Sequence, residues 1–263
     1  MKKYKIFLVF LIFLTISCKQ NENLSNPNIS NQKESDNSNM FDFLPTSTTN
    51  QIIKHEFYML SYNEKYEQAE WVAYELKANM VSSQHFKRPF FIEDPLVETH
   101  SADWRNYKKS GYDKGHLCPA ADMKFNKKSF DDTFFTSNIS PQNHEFNDGV
   151  WNRLEGKVRY WAQKKGTICV ITGGVLQDGL KKIGAENVSV PNYFYKVLLD
   201  NSSNKPKMIA FLVPSQNSEK PLYEFVISVD ELEKLTGIDF YPKLPDEIEN
   251  RLEQKSDYKD WNF

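Results

Sequence analysis

Between residues 146 and 165 the apolar positions Val150, Trp151, Leu154, Val158 and Trp161 recur at i, i+1, i+4, i+8 and i+11. That spacing predicts an amphipathic helix, and Gly166 offers a stop at its end. Two strands are predicted upstream. One covers 111–118; the other covers 133–139, rich in β-branched and aromatic residues and closed by Ser140-Pro141. Further strands are predicted over 167–172, 194–199 and 207–213, and short helices over 64–78 and 229–235. Ser228 or Asp230 is the expected cap of the last of these. Strands interleaved with helices in this order predict an α+β domain.

The first fifty residues follow a different pattern. Lys2, Lys3 and Lys5 precede an apolar run over 6–16, which is short for a transmembrane helix. The run ends Leu14-Thr15-Ile16-Ser17-Cys18, which resembles the signal peptide of bacterial lipoproteins, whose cysteine is lipidated and becomes the mature amino terminus. Thr15 departs from that pattern, where leucine usually stands. An ordinary cleaved signal with Cys18 incidental is the alternative, and either reading exports the protein. Residues 19–50 are rich in Asn and Ser and too polar to bury a core. The expected organisation is a lipoprotein signal peptide over 1–17, a disordered tether over 18–50 and one domain over 51–263. The expected location is the bacterial cell envelope, with Cys18 anchoring the chain to a membrane at the periplasmic or cell surface; without lipidation the chain is secreted.

Composition bounds the partners. Nineteen Phe, thirteen Tyr and five Trp suffice for a sizeable core. Setting the three amino-terminal lysines aside from 33 basic residues leaves 30 against 35 acidic ones. A sequence-independent nucleic-acid binder usually carries a basic footprint, so any such surface here must be local. Apart from Cys18, only Cys118 and Cys169 remain, and a disulfide or two buried thiols both stand open.

One constellation carries chemistry. Asp113-Lys114-Gly115-His116 offers a histidine beside a glycine and a cation. Asn147, Trp151, Glu155 and Arg159 recur every four residues, one slowly drifting stripe along the predicted helix. Metal-assisted phosphodiester hydrolysis needs a general base, hard oxygen ligands and cations for phosphate charge. His116 suits the base, because imidazole titrates near neutrality. Asn147 suits a Mg²⁺ ligand, Glu155 an outer partner of the ion's waters, and Arg88, Lys114 and Arg159 the phosphate charge. Each piece alone has a plainer reading: a core histidine in a turn, a helix N-cap, an i,i+4 surface ion pair. The tripeptide His116-Leu117-Cys118 has only His144 nearby, too few ligands for a structural zinc site. His55, His85 and His100 have no partner motif, and Gly173-Gly174 reads as a strand-end turn.

These residues resemble the DNA/RNA non-specific endonucleases of the ββα-metal (His-Me finger) superfamily. The family's Asp-Arg-Gly-His is matched by residues 113–116, its Ser-Asn-Ile-Ser-Pro-Gln by 137–142, and its Asn-x-Gly-x-Trp-x-x-Leu-Glu by 147–155. Segments 171–174, 190–196 and 236–242 resemble later landmarks of the family, and the likeness covers roughly 52–253. It implies a mostly antiparallel sheet flanked by helices, with the ββα site on one side. It also implies Mg²⁺ or Mn²⁺ as cofactor and DNA or RNA as substrate. His116 would be the general base, Asn147 the direct metal ligand and Glu155 the holder of metal-bound water. Asn138 and Gln142 would organise the site, Arg159 would contact phosphate, and Arg88 would stabilise transition-state charge. Lys114 stands where the family has arginine, keeping the charge without the bidentate fork. The expected activity is exported, metal-dependent cleavage of DNA or RNA with little sequence specificity. The competing expectations are a catalytically silent lipoprotein that binds nucleic acid or a partner, and a phosphodiesterase acting on small substrates. An inhibitor protein is compatible with all three.

Overall fold

The computed structural model describes residues 43–203 and 205–263. Its strands are β1 (Ile52–Lys54), β2 (Met59–Asn63), β3 (Gln68–Lys77), β4 (Asp113–His116), β5 (Ile139–Gln142), β6 (Thr167–Gly174), β7 (Lys182–Ile183), β8 (Val188–Ser189), β9 (Tyr193–Asp200), β10 (Lys207–Pro214) and β11 (Val226–Ile227). Its helices are α1 (Lys127–Asp132), α2 (His144–Phe146), α3 (Asn152–Lys165), α4 (Val229–Thr236) and α5 (Asp246–Glu253). Seven strands form one sheet in the order β1-β2-β3-β6-β9-β10-β11, and every pairing in it is antiparallel. The α+β, antiparallel architecture expected from the sequence is therefore the one observed.

Side-chain alternation divides the sheet into two buried faces. Ile168 and Val170 of β6, Phe194 and Leu198 of β9, and Ile209 and Phe211 of β10 pack with Leu154, Val158 and Trp161 of α3. The intervening residues Cys169, Ile171, Tyr195, Val197, Met208 and Ala210 pack with Val229 and Leu232 of α4 and Leu252 of α5. Burying each large apolar side chain contributes roughly 1.5–3 kcal/mol, so both helical layers are held mainly by this term. Cys118 and Cys169 are free, buried thiols that belong to the two different faces, which closes the alternative of a disulfide. No helix among the described residues is long and apolar enough to cross a membrane.

Four sequence expectations need correction. Residues 64–78, expected as a helix, hold the strand β3. Its polar residues obscured the alternation because they are buried and satisfied. Glu70 accepts from Ser61 and the backbone of Thr48, and Gln68 donates to the carbonyl of Ser189. Of residues 133–139, expected as a strand, only Ile139 is in one. Thr133 closes α1, 136–138 form a tight 3₁₀ turn, and the strand is β5, running through Pro141. Among the described residues β5 pairs only with β4, and an edge position tolerates a proline that cannot donate. Gly173 and Gly174 continue β6 rather than turn; a Cβ at Gly173 would lie 2.3 Å from the Glu70 carbonyl. Finally, the tether does not reach residue 50. Phe43 and Leu44 pack on the second core face, Trp71 Nε1 donates to the Thr46 carbonyl, and the Thr46 amide donates to that of Asp239. The signal peptide, Cys18 and the rest of the expected tether up to residue 42 lie outside the described residues.

Other elements match. β6, β9 and β10 occupy the three predicted strand regions. Ser228 caps α4 with a reciprocal bond from Glu231, and Gly237 closes it in the left-handed region. The long helix is interrupted at its start. α2 leads into a π turn over Asn147–Trp151, with a kink at Gly149, before α3 begins; Gly166 ends α3 at φ 93°.

Candidate active site

The site is built on the β4–β5 ribbon and the irregular helix start that follows it. Gly115 pairs with Ser140 and lies under the side chain of Gln142; a Cβ there would come within 2.1 Å of Gln142 Cδ. A side chain at 115 would have to displace the Gln142 amide. Asn138 ties the two arms together beyond the ribbon. Its Oδ1 accepts from the Cys118 amide at 2.8 Å, and its Nδ2 donates to the carbonyls of Cys118 and Thr133 at 3.0 and 2.9 Å. Asn138 is fully buried, which suits the organising place the resemblance implies rather than direct contact with substrate.

Alternation puts Lys114 and His116 on one face of β4 and Asp113 and Gly115 on the other. On the first face the His116 ring lies edge-on to Phe134 at 5.0 Å and near Phe91 at 5.6 Å. Arg88, exposed, stacks its guanidinium over Phe134 at 5.4 Å, and Lys114 Nζ lies 5.3 Å from the Phe91 ring. The aromatic pair thus gathers two cations beside the histidine. His116 Nε2 is shut off from solvent and meets no hydrogen-bond partner among the described residues. Burial, and secondarily the charge of Arg88, push the imidazole down to about 3, so it is neutral at physiological pH.

On the other face Asp113 organises the helix start. Its Oδ2 lies 3.0 Å from Asn147 Nδ2 and 2.9 Å from His144 Nδ1. The bond to Asp113 raises the His144 imidazole above its ordinary value. With its amide nitrogen committed to Asp113, Asn147 keeps its carbonyl oxygen for another partner.

Farther along α3, Glu155 lies beside a buried polar network. Asp122 accepts from Arg159 Nη1 and from the Tyr74 hydroxyl, both at 2.8 Å. Lys196, fully buried on β9, lies 4.4 Å from the Trp151 ring and donates to Thr172 Oγ1 at 3.2 Å. Burial pushes Glu155 up to about 7, with Asp122 adding to the rise and Lys196 and Arg159 opposing it. Arg159 is therefore engaged by Asp122, with a fifth of its side chain exposed.

The structure thus brings Arg88, Lys114 and His116 together, joins Asn147 to Asp113, and sets Glu155 with Arg159. No hydrogen bond among the described residues links His116 to Asn147 or Glu155. Sequence reasoning assigned no role to Asp113, Asp122, Phe134, His144 or Lys196. Asp113 stood within the motif and was the one recoverable signal. The donor set fits a hard cation: an amide oxygen freed by its own hydrogen bond, and a carboxyl whose ionisation a cation would favour.

An antiparallel sheet with a short ribbon leading into an interrupted helix, bearing an Asp-x-Gly-His strand and an Asn/Glu helix stripe, is the ββα-metal nuclease architecture. The model of the DNA/RNA non-specific endonuclease family matches residues 36–247, and the chain belongs to that family. Among its relatives is the mitochondrial nuclease EXOG of Danio rerio, 36% identical over 204 residues, covering 71% of this chain and 60% of the relative. Mitochondrial endonuclease G of Homo sapiens is 30% identical over 209 residues, covering 74% of this chain and 70% of the relative. The chain thus spans less than two thirds of the EXOG relative. A crystal structure of an EndoG/EndoGI complex, concerned with the mechanism of EndoG inhibition, superposes with a TM-score of 0.68 at 29% identity, covering 75% of this chain and 88% of that one.

Proposed function

We propose that this protein is a metal-dependent endonuclease that hydrolyses the phosphodiester bonds of DNA, RNA or both with little sequence specificity. The observation that carries this reading is the Asp113–Asn147 bond, which frees the Asn147 oxygen beside a strand ending in a neutral histidine. His116 takes the proton from the attacking water. Nε2 is covered in this structure, so water reaches that nitrogen only once the packing around the ring opens. Arg88 and Lys114 offset the charge that builds on the phosphate. Asn147 would hold Mg²⁺ or Mn²⁺ directly, with Glu155 toward the ion's waters. Such an ion, when bound, supplies electrostatic stabilisation of the phosphate and the leaving oxygen. Arg159 acts from its ion pair with Asp122, keeping the surroundings of Glu155 charged. The cations recognise phosphate rather than base edges, the basis of low sequence specificity.

Supercoiled plasmid is expected to be nicked and then degraded in Mg²⁺, with EDTA abolishing the activity. A dinucleotide is expected to be cleaved far more slowly. Intact plasmid in both Mg²⁺ and Mn²⁺ would favour the silent binding lipoprotein. Equal rates on dinucleotide and plasmid would favour a phosphodiesterase of small substrates.

The site of action we infer is the bacterial cell envelope, with lipidated Cys18 as the anchor. The basic, apolar, Ser17-Cys18 order supports it. Cys18→Ala is expected to move the protein from the membrane fraction to the soluble one, or to leave an unprocessed precursor. Identical fractionation of both forms, with no acyl group on the mature amino terminus, would rule the anchor out.

A further inference from the structure

Five carboxylates converge on the opposite side of the sheet from α3. Asp230 and Glu233 sit three residues apart on α4, Glu249 and Glu253 four apart on α5, and Asp239 lies in the loop between the helices. Helical spacing puts each pair on one face. The ligand atoms of Asp230, Glu233 and Glu253 lie within 4.8 Å of one another, as do those of Asp239, Glu249 and Glu253. Glu253 is common to both triads. The apolar packing of Val229, Leu232, Ile248 and Leu252 on the sheet holds the helices, and with them the acids, in this arrangement.

Like charges at such spacing repel, and exposed acids relieve the repulsion in water. Glu253 has no such relief. It is only 6% exposed, and its Oε1 is buried with no hydrogen-bond partner among the described residues. A buried acceptor without a donor costs free energy that something must offset.

We propose that Glu253 and the carboxylates around it bind a Ca²⁺ ion that fastens α5 to α4. All the offered donors are carboxylate oxygens, the ligands of a hard cation. Ca²⁺ accepts six to eight of them in irregular geometry, whereas Mg²⁺ demands a near-ideal octahedron and retains its waters. The ion would also fix the loop that receives the amino-terminal segment, since Thr46 bonds the backbone of Asp239 through its amide and its hydroxyl. The inference stands apart from the nuclease reading, because none of these residues belongs to the candidate active site.

Without the ion the cluster favours a protonated Glu253: burial first, then Glu233, Glu249, Asp239 and Asp230, push it up to about 8. Protonation is the competing way to relieve the repulsion, and the test separates the two. Full-length Asn147→Ala protein, lacking the amide ligand of the active site, is stripped of metal and melted with and without Ca²⁺ at about pH 8.5, above the value for Glu253. At a hundredfold excess of Ca²⁺ over its Kd, the melting temperature is expected to rise by about 5–10 °C. Adding Glu253→Gln should abolish the rise while leaving the metal-free protein at least as stable, because a charge is removed from the cluster. Should Glu253→Gln not fold, the exposed Asp239→Asn in the same background should weaken Ca²⁺ binding by about tenfold or more in calorimetric titration, as fewer charged ligands lower Ca²⁺ affinity. No Ca²⁺-dependent rise, or the same rise or affinity in parent and cluster variants, overturns the proposal.

Discussion

His116→Ala is expected to lower Mg²⁺-dependent plasmid cleavage by about 10²–10⁴-fold, the usual cost of removing a general base. Packed part-buried against Phe91 and Phe134, its imidazole is pushed down to about 3 by burial first and then by the charge of Arg88. A depressed histidine is in its basic form at every pH above that value, so proton acceptance needs no prior deprotonation at neutrality. The sign matters for the pH profile. Between about pH 8 and pH 5 the titration of His116 contributes no loss of rate. The acid limb in that window belongs to Glu155, which burial raises to about 7 and which gains its proton as pH falls. A bound cation favours the ionised carboxylate, so raising Mg²⁺ should move that limb to lower pH. The checks are plasmid cleavage by folded wild type and variant, and rate against pH at two Mg²⁺ concentrations. More than about a tenth of wild-type rate in His116→Ala would remove His116 from the role of base. A limb indifferent to Mg²⁺ would remove Glu155 from the ion's surroundings.

How far the sequence carried these conclusions depends on the range over which each feature is encoded. The sheet centre and the long helix were legible because β6, β9 and β10, buried on both faces, read as short apolar runs, and α3 writes its burial in a helical period. β3 was not, because Gln68 and Glu70 look exposed and are instead satisfied by the distant Ser189, Ser61 and Thr48. β5 was displaced because a proline usually ends a strand, and the reason it does not here is a pairing with β4 alone. In the site, motif residues could be named one by one, but their bonds could not. Asn147 meets Asp113 across 34 positions and Arg159 meets Asp122 across 37. No local spacing records such pairs. The same holds for Lys196, a charged residue on β9 that is fully buried against Trp151 and Thr172. Arg159 is the instructive case: the resemblance directs it to phosphate, and the fold adds an ion pair with Asp122 that no local spacing records.

Asn147→Ala is expected to depress cleavage as severely as the loss of His116, because Asn147 is the proposed direct side-chain ligand of the ion. The Asp113 bond sharpens this into a test of orientation. An amide can present either its oxygen or its nitrogen, and Asp113 at 3.0 Å holds the nitrogen, leaving the oxygen outward. In Asn147→Asp a second carboxylate faces Asp113 where a donor stood, and two like charges at that distance disfavour the geometry. The variant should therefore keep only part of the activity and need a higher metal concentration. Exchanging the pair, Asp113→Asn with Asn147→Asp, restores a donor opposite an acceptor and should recover activity over either single variant, with an altered Mg²⁺-to-Mn²⁺ preference because the ligand is now charged. Part of the deficit of Asp113→Asn alone comes from His144, which loses its ionised partner in both the single variant and the exchange. Recovery is therefore judged on the metal concentration needed for half-maximal rate as well as on the rate itself. If the exchange is no better than Asn147→Asp on both measures, Asp113 does not set the Asn147 amide, and the oxygen assigned to the ion has to be sought elsewhere.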